Sequence, residues 1–349
     1  MTERLPPAIF LMGPTASGKT ALAEHIAARW PCEVISVDSA LVYRGMDIGT
    51  AKPDLALQST LPHRLIDIIE PEQRYSAADF RRDALQHMAE ITAAGKVPLL
   101  VGGTMLYFKV LLEGMAELPA ADHELRAELT AAAERDGWPA LHARLAICDP
   151  ETAANLHPNH SQRILRALEV YLLSGEPMSA LQRQQHRALR YRVAQFALWP
   201  TERGALHRRI DQRFADMLAG GFLDEMGALR RRPALTGDAP SMRAVGYRQA
   251  WDYLDQGGEY ADFVARGQAA TRQLAKRQLT WLRKWPGLHR LPIDYAASDS
   301  VHSLISPFPT ALPDHSARPV DDRVSECLLT HSDTDIKEHI AVVLQQLGL

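Results

Sequence analysis

Cysteine is nearly missing from this chain of 349 residues: Cys32, Cys148 and Cys327 are its only thiols. They are too few for a disulfide framework and too far apart for a Cys-x-x-Cys redox or zinc pair, which fits a reducing cytoplasm. Long apolar runs are absent as well; none reaches the roughly 18–20 residues that a membrane span requires. The opening residues, 1–7, carry Glu3 and Arg4 and lack the charged, apolar and cleavage regions of a signal peptide. The 14 histidines show no His-x-x-x-His or Cys/His ligand spacing within a helical pattern, so no zinc site is indicated. No G-x-S-x-G elbow and no repeat with a period of 20–50 residues occurs.

What is present is an ordinary globular composition, 46% hydrophobic and 23% charged, in a chain long enough for one sizeable core and a second lobe. The net charge of -3 hides an asymmetry. Residues 161–290 hold 22 Lys and Arg against 12 Asp and Glu, a net of +10, so the rest of the chain carries -13. Segregated basic charge is the footprint of a phosphate-backbone binder, although basic residues on helix faces are commonly just solvated.

Residues 8–12 form a short apolar run ended by Gly13-Pro14, and residues 21–29 then repeat apolar side chains at helical spacing, which predicts strand, glycine loop, helix. Further strands are expected at 33–37, 97–101 and 193–199. The first two end in Asp38-Ser39 and Gly102-Gly103-Thr104. In an open parallel sheet ligands gather at the carboxyl ends of the strands, so these ends should converge. Residues 115–191 read as helices only, notably 122–135, 140–148 and 162–174. Helices are also expected at 76–94, 203–219, 222–232 and 263–285. The organisation we expect is an α/β, P-loop NTPase-like parallel-sheet core from residues 1–114 and 192–292 with C-terminal helices. An all-helical domain at 115–191 would be inserted into it. Residues 293–349 read as a weakly structured tail, rich in Ser, Pro and Asp at 298–322, with one last helix at 332–347.

The segment Gly13-Pro14-Thr15-Ala16-Ser17-Gly18-Lys19-Thr20 fits G-x-x-x-x-G-K-[ST] in the required strand-to-helix context. Its glycines let backbone N–H groups close around phosphate oxygens, Lys19 adds a full charge, and the Thr20 hydroxyl suits Mg²⁺. The loop alone leaves a kinase, an ATPase and a prenyltransferase open. Asp38 reads either as a Mg²⁺ partner or as a general base aimed at an acceptor. Thr104 follows two glycines that allow close backbone approach to a ligand.

Taken in order, seven motifs resemble those of the bacterial tRNA dimethylallyltransferases, also called isopentenyl-tRNA transferases. They are the P-loop, Asp38-Ser39-Ala40-Leu41-Val42-Tyr43-Arg44, Gly49-Thr50-Ala51-Lys52-Pro53, Gly102-Gly103-Thr104-x-Leu106-Tyr107, Arg163-Ile164-x-Arg166-Ala167-Leu168-Glu169, Arg243-Ala244-Val245-Gly246-Tyr247-Arg248, and Lys276-Arg277-Gln278-x-Thr280-Trp281-x-Arg283. Many members carry Gln where this chain has Leu41. The resemblance implies transfer of a dimethylallyl group from dimethylallyl diphosphate to the exocyclic amine of the adenine at position 37 of tRNA, just 3′ of the anticodon. It implies a diphosphate held by residues 13–20 and Arg213, with Mg²⁺ on Thr20. Asp38, Thr104 and Lys19 would be the catalytic residues. Contacts to the tRNA anticodon stem-loop would come from Asp38, Ser39, Ala40, Leu41, Thr104 and Arg126, from Gln162, Arg163, Ile164, Leu165 and Arg166, from Arg243, Ala244, Val245, Gly246, Tyr247 and Arg248, and from Lys276, Arg277, Gln278 and Arg283. We expect a monomer without a membrane partner.

Overall fold

The structure is a computed structural model that describes residues 5–116, 118–183, 188–295, 333–346 and 349. Cys327 and the Ser-, Pro- and Asp-rich stretch 298–322 lie outside the described residues. The chain forms two compact units: residues up to Lys109 together with those from Arg190 onward, and Val110–Leu189.

The first unit is built on a six-stranded parallel sheet: β1 (Pro7–Met12), β2 (Cys32–Val37), β3 (His63–Arg64), β4 (Val97–Gly102), β5 (Arg192–Pro200) and β6 (His289–Ile293), in the order β3-β2-β4-β1-β5-β6. Strands buried on both faces require apolar runs rather than alternation; β1 and β4 supply them, while β2 contributes Val34, Ile35 and Val37 but also carries Ser36 and Glu33, the latter bonded to Arg64 and Lys96. Side chains of β1 still divide by parity. Ile9 and Leu11 pack with Leu22 and Ile26 of the helix Lys19–Arg29, while Phe10 points the other way, its ring 5.1 Å from that of Phe108. The Ile9 face also receives Ile340, Val343 and Leu344 of the last helix, Asp333–Gln346, so part of the chain beyond residue 293 belongs to the core.

Sequence periodicity locates the longer helices of this unit to within a few residues, because each carries its own apolar stripe. Helix Ala77–Ala93 begins with a capping box, Ser76 and Asp79 each bonding the other's backbone N–H, and buries Phe80, Ala84, Met88 and Ile91 on one stripe. Helix Arg203–Ala219 ends where Gly220-Gly221 was expected to break it. The structure adds two short strands that the sequence reading omitted. β3 is only two residues long, and β6 contains Pro292, which lowers strand propensity but is tolerated on the edge strand. Helices Leu55–Thr60, Met105–Glu113 and Tyr247–Gln256 were also not foreseen; the last starts at Gly246, φ 92°, whose N–H donates to Gln249 Oε1 at 2.9 Å.

The second unit is all helical, with His123–Asp136, Trp138–Cys148, Pro150–Ala154, Ser161–Ser174 and Met178–Arg183 packed around Leu129, Leu141, Leu145, Ile164 and Leu168. Gly175, at φ 74°, ends Ser161–Ser174 in the left-handed conformation expected of a C-terminal glycine.

Candidate active site

Strand register explains why three distant segments meet. Met12 and Val37 both pair with Gly102, and Met12 also pairs with Ala197, so β1, β2 and β4 end in one row. The residues that follow, Gly13, Asp38 and Gly103, therefore leave the sheet at the same level. They open onto a cleft of about 960 Å³ lined by Thr15–Ala21, Asp38–Leu41, Gly102–Leu106 and side chains from the helices Arg203–Ala219 and Tyr260–Arg283.

The glycine loop turns without room for a larger first residue, because a Cβ on Gly13 would come within 2.9 Å of Ser17 Oγ. Gly18, at φ 93°, starts helix Lys19–Arg29 with no side-chain cap. The first N–H groups of that helix are thus left to a ligand, and together with the helix dipole they favour an anion. The Ser17 hydroxyl is buried in the loop and has no hydrogen-bond partner among the described residues. Lys19 folds back and donates from Nζ to Gly13 O (3.0 Å) and Pro14 O (2.7 Å). Burial and the nearby Arg213 guanidinium lower its pKa to about 7, against the opposing pull of Asp38. Arg213 is itself held below its usual pKa by burial and by Arg209, with Asp38 opposing, so two strained cations share one carboxylate.

Asp38 and Thr104 are positioned by short bonds. Asp38 Oδ1 accepts from Ala40 N–H at 2.8 Å, and Ser39 N–H donates to Thr104 Oγ1 at 3.1 Å, which ties the second strand end to the third. Gln278 ties the third to the first: its side-chain oxygen accepts from Thr15 N–H and its amide donates to Gly103 O, each at 2.9 Å. A Cβ on Gly103 would sit 2.3 Å from that amide.

The motif Gly49-Thr50-Ala51-Lys52-Pro53 serves the frame. Lys52 is almost fully buried and bonds Tyr43 O, Asp47 and Asp67. Gly49 lies against the rings of Phe222 and Tyr247, and Glu225 accepts N–H bonds from Asp47, Ile48 and Gly49 as well as the Tyr247 hydroxyl. Together they pin the segment that follows Leu41.

The residues expected to touch tRNA fall into distinct environments. Ser39, Ala40, Leu41, Arg243, Ala244, Val245, Gly246 and Arg277 line the cleft, while Arg248, Lys276 and Arg283 are exposed. Tyr247 and Gln278 also line the cleft, Tyr247 with its hydroxyl donated to Glu225 and Gln278 with its amide bonded to Thr15 and Gly103. In the helical unit Gln162 and Arg163 are exposed, Ile164 is fully buried, and Leu165 packs on the core. Arg126 and Arg166 are locked onto Glu169, which is wholly buried: Arg126 bonds both its oxygens at 2.7 and 2.9 Å, and Arg166 bonds Oε2 at 2.5 Å. Burial alone would raise Glu169, but the two arginines and Asp122 N–H bring its pKa down to about 2. Trp281, in the last of the seven motifs, was not among the residues expected to touch tRNA. Trp285 donates inward, to Gln195, but Trp281 lines the cleft and is 41% exposed.

The comparisons agree with this geometry. The IPP transferase family profile matches residues 41–285, well over half of the chain. The chain is 61% identical, over 298 residues, to the tRNA dimethylallyltransferase of Thiobacillus denitrificans, a match covering 85% of this chain and 95% of that one. Among solved structures it is similar to the full-length tRNA isopentenylpyrophosphate transferase of Bacillus halodurans, with a TM-score of 0.60 and 36% identity over 84% of this chain and 92% of that one. It also resembles a eukaryotic dimethylallyltransferase acting on tRNA, with a TM-score of 0.71 and 26% identity over 82% and 74% of the two chains. A profile match of that extent, with a relative so similar along nearly its whole length, means that the chain belongs to the IPP transferase family.

Proposed function

We propose that the protein is a tRNA dimethylallyltransferase, a cytoplasmic enzyme that moves the dimethylallyl group of dimethylallyl diphosphate to the exocyclic amine of adenine 37 of tRNA and releases diphosphate. The observation that carries the reading is the convergence of the glycine loop, Asp38 and Thr104 on one cleft beside Lys19 and Arg213. Kinship with tRNA dimethylallyltransferases supplies the substrates.

The donor's diphosphate lies in the loop, against the uncapped N–H groups that open helix Lys19–Arg29. When the allylic carbon–oxygen bond breaks, its electron pair passes to the diphosphate. Lys19 and Arg213 stabilise the charge that grows there, in a setting where burial strengthens each interaction. The adenine amine supplies the lone pair for the new carbon–nitrogen bond, and its proton goes to the Asp38 carboxylate. Ala40 N–H holds Oδ1 of that carboxylate, leaving the other oxygen for the substrate. Thr104 acts by fixing the Asp38-Ser39 turn.

The Thr20 hydroxyl is a hard oxygen donor lining the cleft, which fits Mg²⁺, an ion that keeps most of its shell as water and phosphate oxygens. Bound there, Mg²⁺ would add positive charge beside the leaving group.

Adenine 37 must leave its stack to reach the cleft, at a cost of a few kcal/mol. Splayed loop bases call for aromatic and guanidinium planes, which Trp281, Arg277 and Arg243 offer at the cleft. Arg248, Lys276, Arg283, Gln162 and Arg163 are suited to phosphates.

The test is incubation of the purified protein with unmodified tRNA, Mg²⁺ and radiolabelled dimethylallyl diphosphate, beside a reaction containing only ATP. Label in tRNA with diphosphate release is expected. ATP consumption without label in any tRNA would overturn the reading in favour of a kinase or ATPase.

A further inference from the structure

Tyr295 belongs to none of the motifs above; it stands two residues past β6 and beyond the matched span 41–285. It is nevertheless packed against the glycine loop. With Leu279 its ring joins a small cluster of Ala16, Leu206, Ile210 and Ala275. Its hydroxyl donates to Ser17 O at 3.0 Å. The Arg209 guanidinium lies over the same ring, 4.6 Å from its centre, and Arg209 Nε donates to Ala16 O at 3.1 Å. One stacked pair therefore holds two successive loop carbonyls.

Those carbonyls decide where the loop's donors point. In a trans peptide the C=O and the following N–H face opposite ways, so a bond that draws Ser17 O outward turns Gly18 N–H toward the cleft. Ala16 is the one non-glycine loop residue with a positive φ, 62°, a conformation that crowds the Cβ of an L-residue against its own backbone. Its carbonyl is the one Arg209 holds, while Ser17 N–H closes the turn onto Pro14 O. Burial pushes the Tyr295 hydroxyl up to about 12, with Arg209 opposing, so it remains a proton donor throughout the working pH range. Tyr295 does not line the cleft, so whatever it does for a bound anion it does through the loop.

We infer that Tyr295, paired with Arg209, is a positioning residue for the diphosphate site: the pair anchors the outward carbonyls of Ala16 and Ser17 and so keeps Gly18 N–H aimed at the leaving group. The inference rests on reading the loop as a diphosphate cradle.

The test uses the full chain and inorganic diphosphate as probe, with affinity measured by calorimetry. Tyr295→Phe deletes one hydrogen bond and keeps the ring, so diphosphate affinity is expected to fall about fivefold. The KM for dimethylallyl diphosphate should rise by the same factor, with kcat at saturating donor and the affinity for tRNA unchanged. Arg209→Lys keeps the charge but loses the planar stack and the Ala16 bond, and the double variant should be no weaker than the worse single one. Unchanged diphosphate affinity in Tyr295→Phe would overturn the inference, and so would equal losses of diphosphate and tRNA affinity, which mark general destabilisation. Wild-type protein that binds no diphosphate would also overturn it. Wild-type protein that binds diphosphate but modifies no tRNA would defeat only the proposed reaction, leaving the positioning role to be judged on binding.

Discussion

Lys19 gives the most quantitative prediction. With its pKa near 7 in the free protein, it is almost fully charged at pH 6 and only about one-tenth charged at pH 8. A diphosphate in the loop places negative charge against the ammonium and keeps it protonated. At pH 8 the free enzyme must therefore take up close to one proton on binding, at a cost of about 1.4 kcal/mol, which is about tenfold in affinity. At pH 6 uptake should be near zero. The assay is calorimetry of diphosphate binding at both pH values in buffers of different ionisation enthalpy, corrected for the ligand's own titration. Lys19→Arg serves as the control, since its guanidinium stays charged and its uptake should vanish. Without ligand the sign reverses into a stability effect: the neutral amine suits the fold, so Lys19's contribution is full above its unfolded pKa of about 10.4 and is lost as pH falls through 7. No proton uptake at pH 8 by the wild-type protein would refute the reasoning, because Lys19 would then be charged before the ligand arrives.

Asp38→Ala should lower the transfer rate by about 10²–10⁴ while leaving tRNA affinity nearly intact, as expected of a group acting in the chemical step; filter binding beside single-turnover kinetics checks it. Trp281→Ala should raise the KM for tRNA by about tenfold with little change in the KM for the donor, in keeping with a stacking loss of about 1–3 kcal/mol. Glu169→Gln should destabilise the helical unit by about 3 kcal/mol, read as faster hydrogen exchange in helix Ser161–Ser174. Because Glu169 is held near 2, its contribution is complete above the usual carboxylate range and is lost as pH falls toward 2, so the variant should also flatten that unit's acid sensitivity.

Local signals made much of this molecule readable from its sequence. The glycine loop is eight consecutive residues whose chemistry depends on their own backbone, and the apolar runs of β1 and β4 announce strands buried on both faces. What stayed hidden was long-range. Nothing near Gln278 reveals that its amide reaches Thr15, 263 residues away, and nothing near Glu225 reveals three backbone donors some 177 residues upstream. Arg126 and Arg166 read as RNA-facing cations because the carboxylate between them is buried only once the helices pack. Part of that was available in principle, since Arg166 and Glu169 stand at i, i+3 on one helix. Trp281 stands in the last turn of helix Tyr260–Arg283 and Trp285 just past its end, yet one faces the cleft and the other bonds Gln195 of β5; sequence spacing does not say where a helix stops or what its face meets.

The clamps on the glycine loop have a consequence for how the protein is made. The loop is complete as a motif by residue 20, but Arg209, Gln278 and Tyr295 hold its carbonyls and N–H groups from far along the chain. Synthesis runs from the N-terminus at about 5–20 residues per second, so a growing chain displays the motif for many seconds before it owns the parts that stiffen it. During that interval an unfinished protein has the letters of a phosphate site without its grip. On the proposed reading of the loop, the ability to hold a diphosphate arrives late, when the last strand of the sheet is laid down and Tyr295 closes behind the loop.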